Sequence, residues 1–141
     1  MTDVWSKYVE CDIIESKSAD IVVQSFFQKW ICRHGACNTL LTDNGKEYTN
    51  SLMSELSNRF CIDHITIVPR RPQQNPSERW NRTFAKYLRV ILDNNTIDWE
   101  KWIPPLLLSY NTAVHKSTLE TPFFLTYFHP PRLPFDLDQP Q

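Results

Sequence analysis

The 141-residue chain has only two glycines, no long run of apolar residues and a net charge of only −1. A helix that spans a membrane needs about 20 consecutive apolar residues, and the N-terminus has no signal-peptide pattern. The sequence therefore predicts a soluble domain that is neither bound to a membrane nor secreted. A net charge near zero excludes a protein that attracts nucleic acid over its whole surface. Hydrophobic residues make up 41% of the chain and aromatic residues 13%, which argues against disorder and suffices for one core.

The four cysteines include no Cys-x-x-Cys pair, the usual mark of a zinc or redox site. Cys32, His34 and Cys37 are close enough in sequence to suggest a metal site. No second pair of ligands follows at a suitable spacing, and Cys32 and His34 fall where a helix is predicted to end. The sequence therefore favours thiols without a metal over a zinc site.

The spacing of apolar residues predicts an α/β fold with at least one crossover connection, because strand and helix patterns alternate along the chain. Pro104-Pro105 is expected to kink or break the last predicted helix. Predicted strands cover residues 9–13, 38–42 and 62–68, and predicted helices cover 20–34, 49–60, 77–93 and a segment that starts near 98.

Asp43 directly follows the second predicted strand and precedes Asn44-Gly45. Ligands of α/β proteins gather at the carboxyl ends of strands, so this carboxylate is a candidate ligand for a metal. An aspartate that simply favours the geometry of the turn explains the residue equally well when it is considered alone.

A basic segment contains the second candidate, since six basic residues and a single acidic one, Glu78, lie between positions 70 and 89. On the predicted helix, Glu78, Arg82, Lys86 and Arg89 lie opposite an apolar face that begins at Trp80. An acidic group among cations suits a divalent metal with phosphate held nearby. An ordinary solvated face, with Glu78 paired to Arg82, is the alternative.

Three segments carry a resemblance to a known family. They are LLTDNGKEYTNSLMSEL (40–56), RPQQNPSERWNRT (71–83) and YNTAVHKSTLETPF (110–123). In order and spacing they resemble the integrase catalytic core of gypsy-type LTR retrotransposons and retroviruses, and the WSKYVE segment (5–10) fits the same pattern. The resemblance implies that residues 1–134 are a partial integrase core and that residues 135–141 are a tail leading toward a further region.

The resemblance implies an α/β fold of the ribonuclease H-like, three-layer type, with the first strand or strands missing. It also implies a site of three carboxylates, in which Asp43 matches the second and Glu78 the third. The intervening residues 44–77 number 34, one fewer than the family's usual gap of about 35. The family's first aspartate belongs to a strand upstream of WSKYVE. Neither Asp3, which is expected to open a turn, nor Asp12, on the polar side of a predicted strand, replaces it.

The chemistry implied by the resemblance is phosphoryl transfer with two Mg²⁺ or Mn²⁺ ions, held here by Asp43 and Glu78. Because the first carboxylate has no match, metal binding is expected to be weak or absent and the chain inactive alone, so whether it is an enzyme is left open. The implied partners are DNA, both element ends and target, and further copies of the protein. The residues expected to contact nucleic acid are Arg70, Arg71, Asn75, Asn81, Arg82, Lys86 and Arg89.

Two further expectations follow from the resemblance. The family suggests a location in the nucleus, with the cytoplasm as the other choice. Near the end of the core, Tyr127-Phe128 replaces the family's Tyr-Gly pair, so a turn that prefers glycine is expected to be lost. The alternative to an integrase fragment is a domesticated, non-catalytic module that binds DNA or protein through the same basic helix.

Overall fold

A computed structural model describes residues 1–67, 76–92 and 99–133. The chain divides into two compact units. The first comprises Met1 and Glu10–Lys86, and the second comprises Thr2–Val9 and Tyr87–Gln141.

The first unit begins with a continuous helical run, as the sequence predicts for residues 20–34. Helix α1 covers Ala19–Phe26, a π-helical turn covers Phe27–Ile31, and a last turn, α2, covers Cys32–His34. The run ends at Gly35, whose φ of +83° is a conformation that residues with a side chain rarely adopt. The predicted end of the helix at residue 34 is therefore confirmed.

A two-stranded parallel sheet follows in the same unit. Strand β1 covers Thr39–Thr42 and strand β2 covers Asp63–Thr66, paired from Thr39 opposite Asp63 to Thr42 opposite Thr66. Helix α3, Ser51–Arg59, lies between them in sequence and is the crossover that a parallel pair requires. The side chain of Asn50 caps this helix by accepting a hydrogen bond of 2.9 Å from the Met53 amide.

The predicted strand over residues 9–13 is wrong. Only an isolated antiparallel bridge joins Thr2 to Val9, and residues 10–14 form no strand. The alternation of apolar and polar residues misleads here because Glu10, expected to face solvent, is buried with 7% of its surface exposed. Its carboxylate lies 3.1 Å from Nε2 of His34 and 3.3 Å from the guanidinium of Arg33.

The core of the first unit lies on one face of the sheet. Phe26, Ile31, Met53 and Ile62 form a buried cluster, and Leu40 of β1 packs against it. The next residue along β1 points to the opposite face, since side chains alternate along a strand. On that face Leu41 is 40% exposed and Ile65 is 45% exposed.

The second unit is helical apart from its N-terminal segment. Helix α4 covers Pro76–Leu92 and passes from the first unit into the second. A 3₁₀ turn over Trp99–Trp102 leads into helix α5, Ile103–Thr112, and helix α6 covers Pro122–Tyr127. Pro104-Pro105 does not break a helix but lies in the first turn of α5, where backbone N–H groups have no helical partner anyway. Helix α6 was not predicted.

A buried asparagine fastens the N-terminal segment of this unit to α5. Asn111 accepts a hydrogen bond of 2.9 Å from the Val9 amide through Oδ1 and donates one of 3.0 Å to the Val9 carbonyl through Nδ2. The bridge to Thr2 uses the amides of Asp3 and Glu10. The N–H and C=O groups of Val9 therefore point away from Thr2. The side-chain amide thus takes the place of a neighbouring strand.

The turn expected to be lost at Tyr127-Phe128 is present. Phe128 adopts φ 60° and ψ 22°, and its amide donates a hydrogen bond of 2.7 Å to the carbonyl of Phe124. Its ring is 74% exposed and contributes little to packing that would offset the strain. The helix C-cap has therefore kept its left-handed geometry without the glycine that suits it.

We expect Phe128→Gly to raise the free energy of unfolding by about 1 kcal/mol, because glycine adopts this backbone conformation without steric cost. Chemical denaturation followed by circular dichroism measures the change. Phe128→Ala is the matched control, since it removes the same ring but keeps the Cβ that causes the strain. Equal stability of the glycine and alanine variants would contradict the prediction.

Candidate metal and nucleic-acid site

Asp43 lies at the carboxyl end of β1 with its side chain exposed. Its Oδ1 accepts a hydrogen bond of 3.1 Å from the Gly45 amide, which closes the turn that leaves the strand. No protein group within the described ranges bonds to Oδ2. One carboxylate oxygen is thus fixed by the backbone and the other faces outward, an arrangement that fits a hard cation with oxygen ligands.

Glu47 and Tyr48 follow Asp43 after the turn that leaves β1. A Cβ on Gly45 would lie 2.6 Å from a carboxylate oxygen of Glu47, so only glycine allows this side chain to fold over the turn. Burial raises the pKa of Tyr48, and the charges of Asp43 and Glu47 raise it further. The phenol therefore stays protonated at neutral pH beside two carboxylates that attract cations.

Thr42 and His64 lie on the opposite side of the Asp43 backbone. The Thr42 hydroxyl donates a hydrogen bond of 2.9 Å to the carbonyl of Asp43, and Nε2 of His64 lies 2.9 Å from the same hydroxyl oxygen. Burial lowers the pKa of His64 below its ordinary value, so the imidazole is neutral at pH 7. The sequence does not single out His64 as a functional residue. Side chains alternate along β2, so His64 lies on the same face as Ile62, which precedes the strand and is buried. This alternation is the sequence signal that could have identified His64.

Helix α4 carries most of the other predicted residues. Glu78 lies in its first turn, where the structure describes the backbone only. Trp80 is 7% exposed, and its ring stacks on that of Phe84 with centroids 4.7 Å apart, as predicted for the apolar face, whereas Tyr87 of the same predicted face is 52% exposed. Four predicted nucleic-acid contacts on this helix have exposed side chains, and they are Asn81, Arg82, Lys86 and Arg89. Three others lie outside the described residues, and they are Arg70, Arg71 and Asn75.

Spacing places the cations of α4 along one side. Arg82, Lys86 and Arg89 are four and three residues apart, so their side chains follow one another on a single helix face. Such a row of exposed cations matches the repeat of a phosphate backbone better than a scattered charge does. The low net charge of the chain thus conceals a local basic surface.

Other candidate ligands are engaged elsewhere. Nε2 of His34 lies 3.1 Å from the Glu10 carboxylate, and among the described residues His34 forms no three-ligand group with Cys32 and Cys37. Oδ2 of Asp3 accepts two hydrogen bonds of 2.6 Å from Ser6 and opens the expected turn, while Asp12 pairs with Lys29 at 3.3 Å. Across residues 1–67, 76–92 and 99–133, no three His, Cys, Asp or Glu side chains are placed to hold one metal ion. In the same ranges no helix is long and apolar enough to cross a membrane.

Comparison with known sequences finds retroelement polyproteins, although no family model matches the chain. The chain is 29% identical over 130 residues to the retrovirus-related Pol polyprotein from transposon 412 of Drosophila melanogaster, covering 92% of the chain and 10% of that protein. It is 28% identical over 120 residues to the transposon Tf2-3 polyprotein of Schizosaccharomyces pombe, covering 84% of the chain and 9% of that protein. The chain thus spans about a tenth of the length of the curated relatives it matches.

Comparison with solved structures finds integrase cores. The HTLV-2 integrase catalytic core domain in complex with magnesium, in a trimeric form, aligns with a TM-score of 0.74 at 20% identity over 89% of this chain and 81% of that one. The catalytic core domain of BIV integrase aligns with a TM-score of 0.72 at 25% identity over the same shares. A simian T-cell lymphotropic virus intasome in complex with PP2A regulatory subunit B56 gamma gives a TM-score of 0.80 at 24% identity over 94% of this chain and 48% of that one. The chain thus has the ribonuclease H-like fold of integrase catalytic cores, and its sequence is similar to retrotransposon polyproteins.

Proposed function

We propose that the chain is the DNA-binding and metal-binding core of a retroelement integrase, with Asp43 and Glu78 as the metal ligands. The observation that carries this proposal is the carboxylate of Asp43, which lies at the end of β1 with Oδ2 unpartnered within the described residues. The relatives support it, since one integrase core of the same fold was solved with magnesium and another belongs to an intasome.

Two groups of residues have separate roles, one in binding a cation and the other in binding a polyanion. Asp43 and Glu78 would hold Mg²⁺ or Mn²⁺, which supplies Lewis-acid stabilisation of a phosphoryl group and activation of an attacking hydroxyl. Arg82, Lys86 and Arg89 would bind the phosphates of a DNA end, and exposed Asn81 is beside them for polar contacts. No side chain needs to form a covalent bond to the substrate. Two carboxylates hold a metal only loosely, so we propose that the chain alone does not join DNA ends.

A second candidate function is a non-catalytic DNA-binding module. The observation in its favour is that, among the side chains that the structure describes, Asp43 belongs to no group of three His, Cys, Asp or Glu residues that could hold a metal ion. In this case the basic face of α4 acts without a metal, and the carboxylates are dispensable for binding.

We expect charge reversal on α4 to weaken DNA binding more than the same charge reversal elsewhere on the surface. Arg82→Glu or Lys86→Glu should weaken binding of a double-stranded DNA end about tenfold or more at 100 mM salt, and the salt dependence should become shallower because phosphate contacts are lost. Fluorescence anisotropy of a labelled duplex measures both quantities. Lys17→Glu is the matched control, because it makes the same charge change at an exposed site just before α1. An equal loss in all three variants would contradict a specific basic face.

The same DNA titrations, together with NMR spectra of the chain, are carried out with and without Mg²⁺ to decide between the two functions. The integrase function predicts that Asp43→Asn and Glu78→Gln abolish the effect of Mg²⁺ on DNA affinity and on the amide resonances around Asp43. The non-catalytic module predicts no such effect in the unmodified chain. Mg²⁺-dependent joining of DNA ends by the chain alone would refute its proposed inactivity.

A further inference from the structure

We infer that Thr42 and His64 are positioning residues for Asp43. Together they form a relay of hydrogen bonds that runs from His64 of β2 through the Thr42 hydroxyl to the backbone carbonyl of Asp43. This inference rests on the proposed role of Asp43 as a metal ligand. It deepens that role by naming what holds the ligand in place.

The direction of the relay follows from counting hydrogens. The hydroxyl of Thr42 has one hydrogen, and it lies 2.9 Å from both the Asp43 carbonyl and Nε2 of His64. A carbonyl oxygen can only accept, so the hydroxyl donates to Asp43. Nε2 of His64 must then carry a hydrogen and donate to the Thr42 oxygen. The geometry therefore assigns a hydrogen to Nε2 of His64.

The position of the relay explains why it matters. The last register pair of the sheet joins Thr42 to Thr66, and a backbone bond of 2.7 Å from the Ile67 amide to the Thr42 carbonyl closes the ladder. Strand β1 ends at Thr42, so the register pairing with β2 does not extend to Asp43. Within the described residues, the hydrogen bond from the Thr42 hydroxyl is the one that reaches the Asp43 carbonyl.

Both sides of Asp43 are then fixed. The relay holds the carbonyl that follows its Cα, and the Gly45 amide holds Oδ1 at 3.1 Å. Only the outward oxygen and small rotations of the carboxylate remain free. A metal ligand held in this way loses less conformational freedom on binding, and second partners of this kind commonly change metal affinity about 10- to 100-fold.

Four substitutions in the full chain test the relay. Thr42→Val and His64→Phe keep the approximate shape of each side chain and remove the bonds. Thr42→Ser and His64→Gln keep a hydroxyl and an N–H donor, and they should restore the unmodified behaviour. Thr66→Val is the matched control, because Thr66 is the register partner of Thr42 and its hydroxyl has no partner in the described structure.

The first readout is spectroscopic and requires no metal. Nitrogen-15 NMR of His64 at neutral pH should show the hydrogen on Nε2, and the Gly45 amide should exchange with solvent several-fold faster in Thr42→Val and His64→Phe only. A hydrogen on Nδ1 alone, or an exchange rate that follows none of the substitutions, would overturn the relay. A merely structural role predicts lower stability but no selective change at Gly45, and no rescue by His64→Gln.

The second readout is the affinity for Mg²⁺, followed through the same amide resonance. We expect about tenfold weaker binding in Thr42→Val and His64→Phe and near-normal binding in the two rescue variants and the control. Asp43→Asn separates the two proposals. If no effect of Mg²⁺ depends on Asp43, the proposed metal site is refuted. The relay is then still tested by the position of the hydrogen on His64 and by the exchange rate of the Gly45 amide. If Mg²⁺ binding depends on Asp43 but is unchanged in both loss variants, the positioning role fails and the metal site stands.

Discussion

Asn111→Leu is expected to lower the free energy of unfolding by about 2–5 kcal/mol, the loss that follows when two buried polar groups have no partner. The amide of Asn111 bonds to both the N–H and the carbonyl of Val9, at 2.9 and 3.0 Å. Val9 is completely buried and Asn111 is 4% exposed, so water cannot replace the lost bonds. Leucine has the same number and branching of side-chain heavy atoms as asparagine, so the change tests mainly the polar contacts. Denaturant unfolding followed by tryptophan fluorescence gives the difference.

Two comparisons sharpen this result. Asn111→Asp keeps an acceptor for the Val9 amide but puts a buried carboxyl beside the Val9 carbonyl, so it should also destabilise the fold. Thr112→Ala, at the next residue, removes an exposed hydroxyl that donates to the Leu108 carbonyl at 2.8 Å, and it should change stability by less than about 0.5 kcal/mol. A leucine variant as stable as Thr112→Ala would show that the amide does not hold the N-terminal segment.

Met53→Ala should cost about 2–5 kcal/mol, because it leaves a cavity in the centre of the first unit. Met53 is 1% exposed and belongs to the cluster with Phe26, Ile31 and Ile62. Leu52→Ala is the matched control, since Leu52 precedes it in α3 and is 45% exposed. Both changes give alanine in the same helix, so their difference reports burial and should exceed about 1.5 kcal/mol. Equal losses at the two positions would contradict this assignment of the core.

The elements that local patterns define were predictable from the sequence. The helical run up to Gly35, both strands of the sheet and helices α3 and α4 agree with the prediction to within about two residues at most ends. Each of these segments buries one face, so the spacing of its apolar residues is enough to predict the element. The failure at residues 9–13 has the opposite cause. Glu10 is buried by Arg33 and His34, more than 20 positions away, and no local pattern shows such a partner.

The candidate site was predictable in part. A strand that ends in an aspartate and an Asn-Gly turn indicates the place of Asp43, and the structure puts that residue at the end of β1. The connection to Glu78 depended on resemblance, because no physical pattern joins residues on two different elements. Thr42 and His64 needed the register of β1 against β2 before their contact was visible. The geometry at Phe128 shows a further restriction, since a backbone conformation can persist after the residue that favours it has gone.

The bond between Val9 and Asn111 has a consequence for the order in which the chain folds during synthesis. The two residues are 102 positions apart, whereas nearly all of the first unit is the continuous segment Glu10–Lys86. Ribosomes add about 5–20 residues each second, so the partner of Val9 emerges several seconds after Val9 itself. During that interval Val4 and Trp5, which are still 57% and 63% exposed in the folded chain, belong to a segment without its anchor. The stage of synthesis before Asn111 is added is therefore the one at which this part of the chain most needs a chaperone.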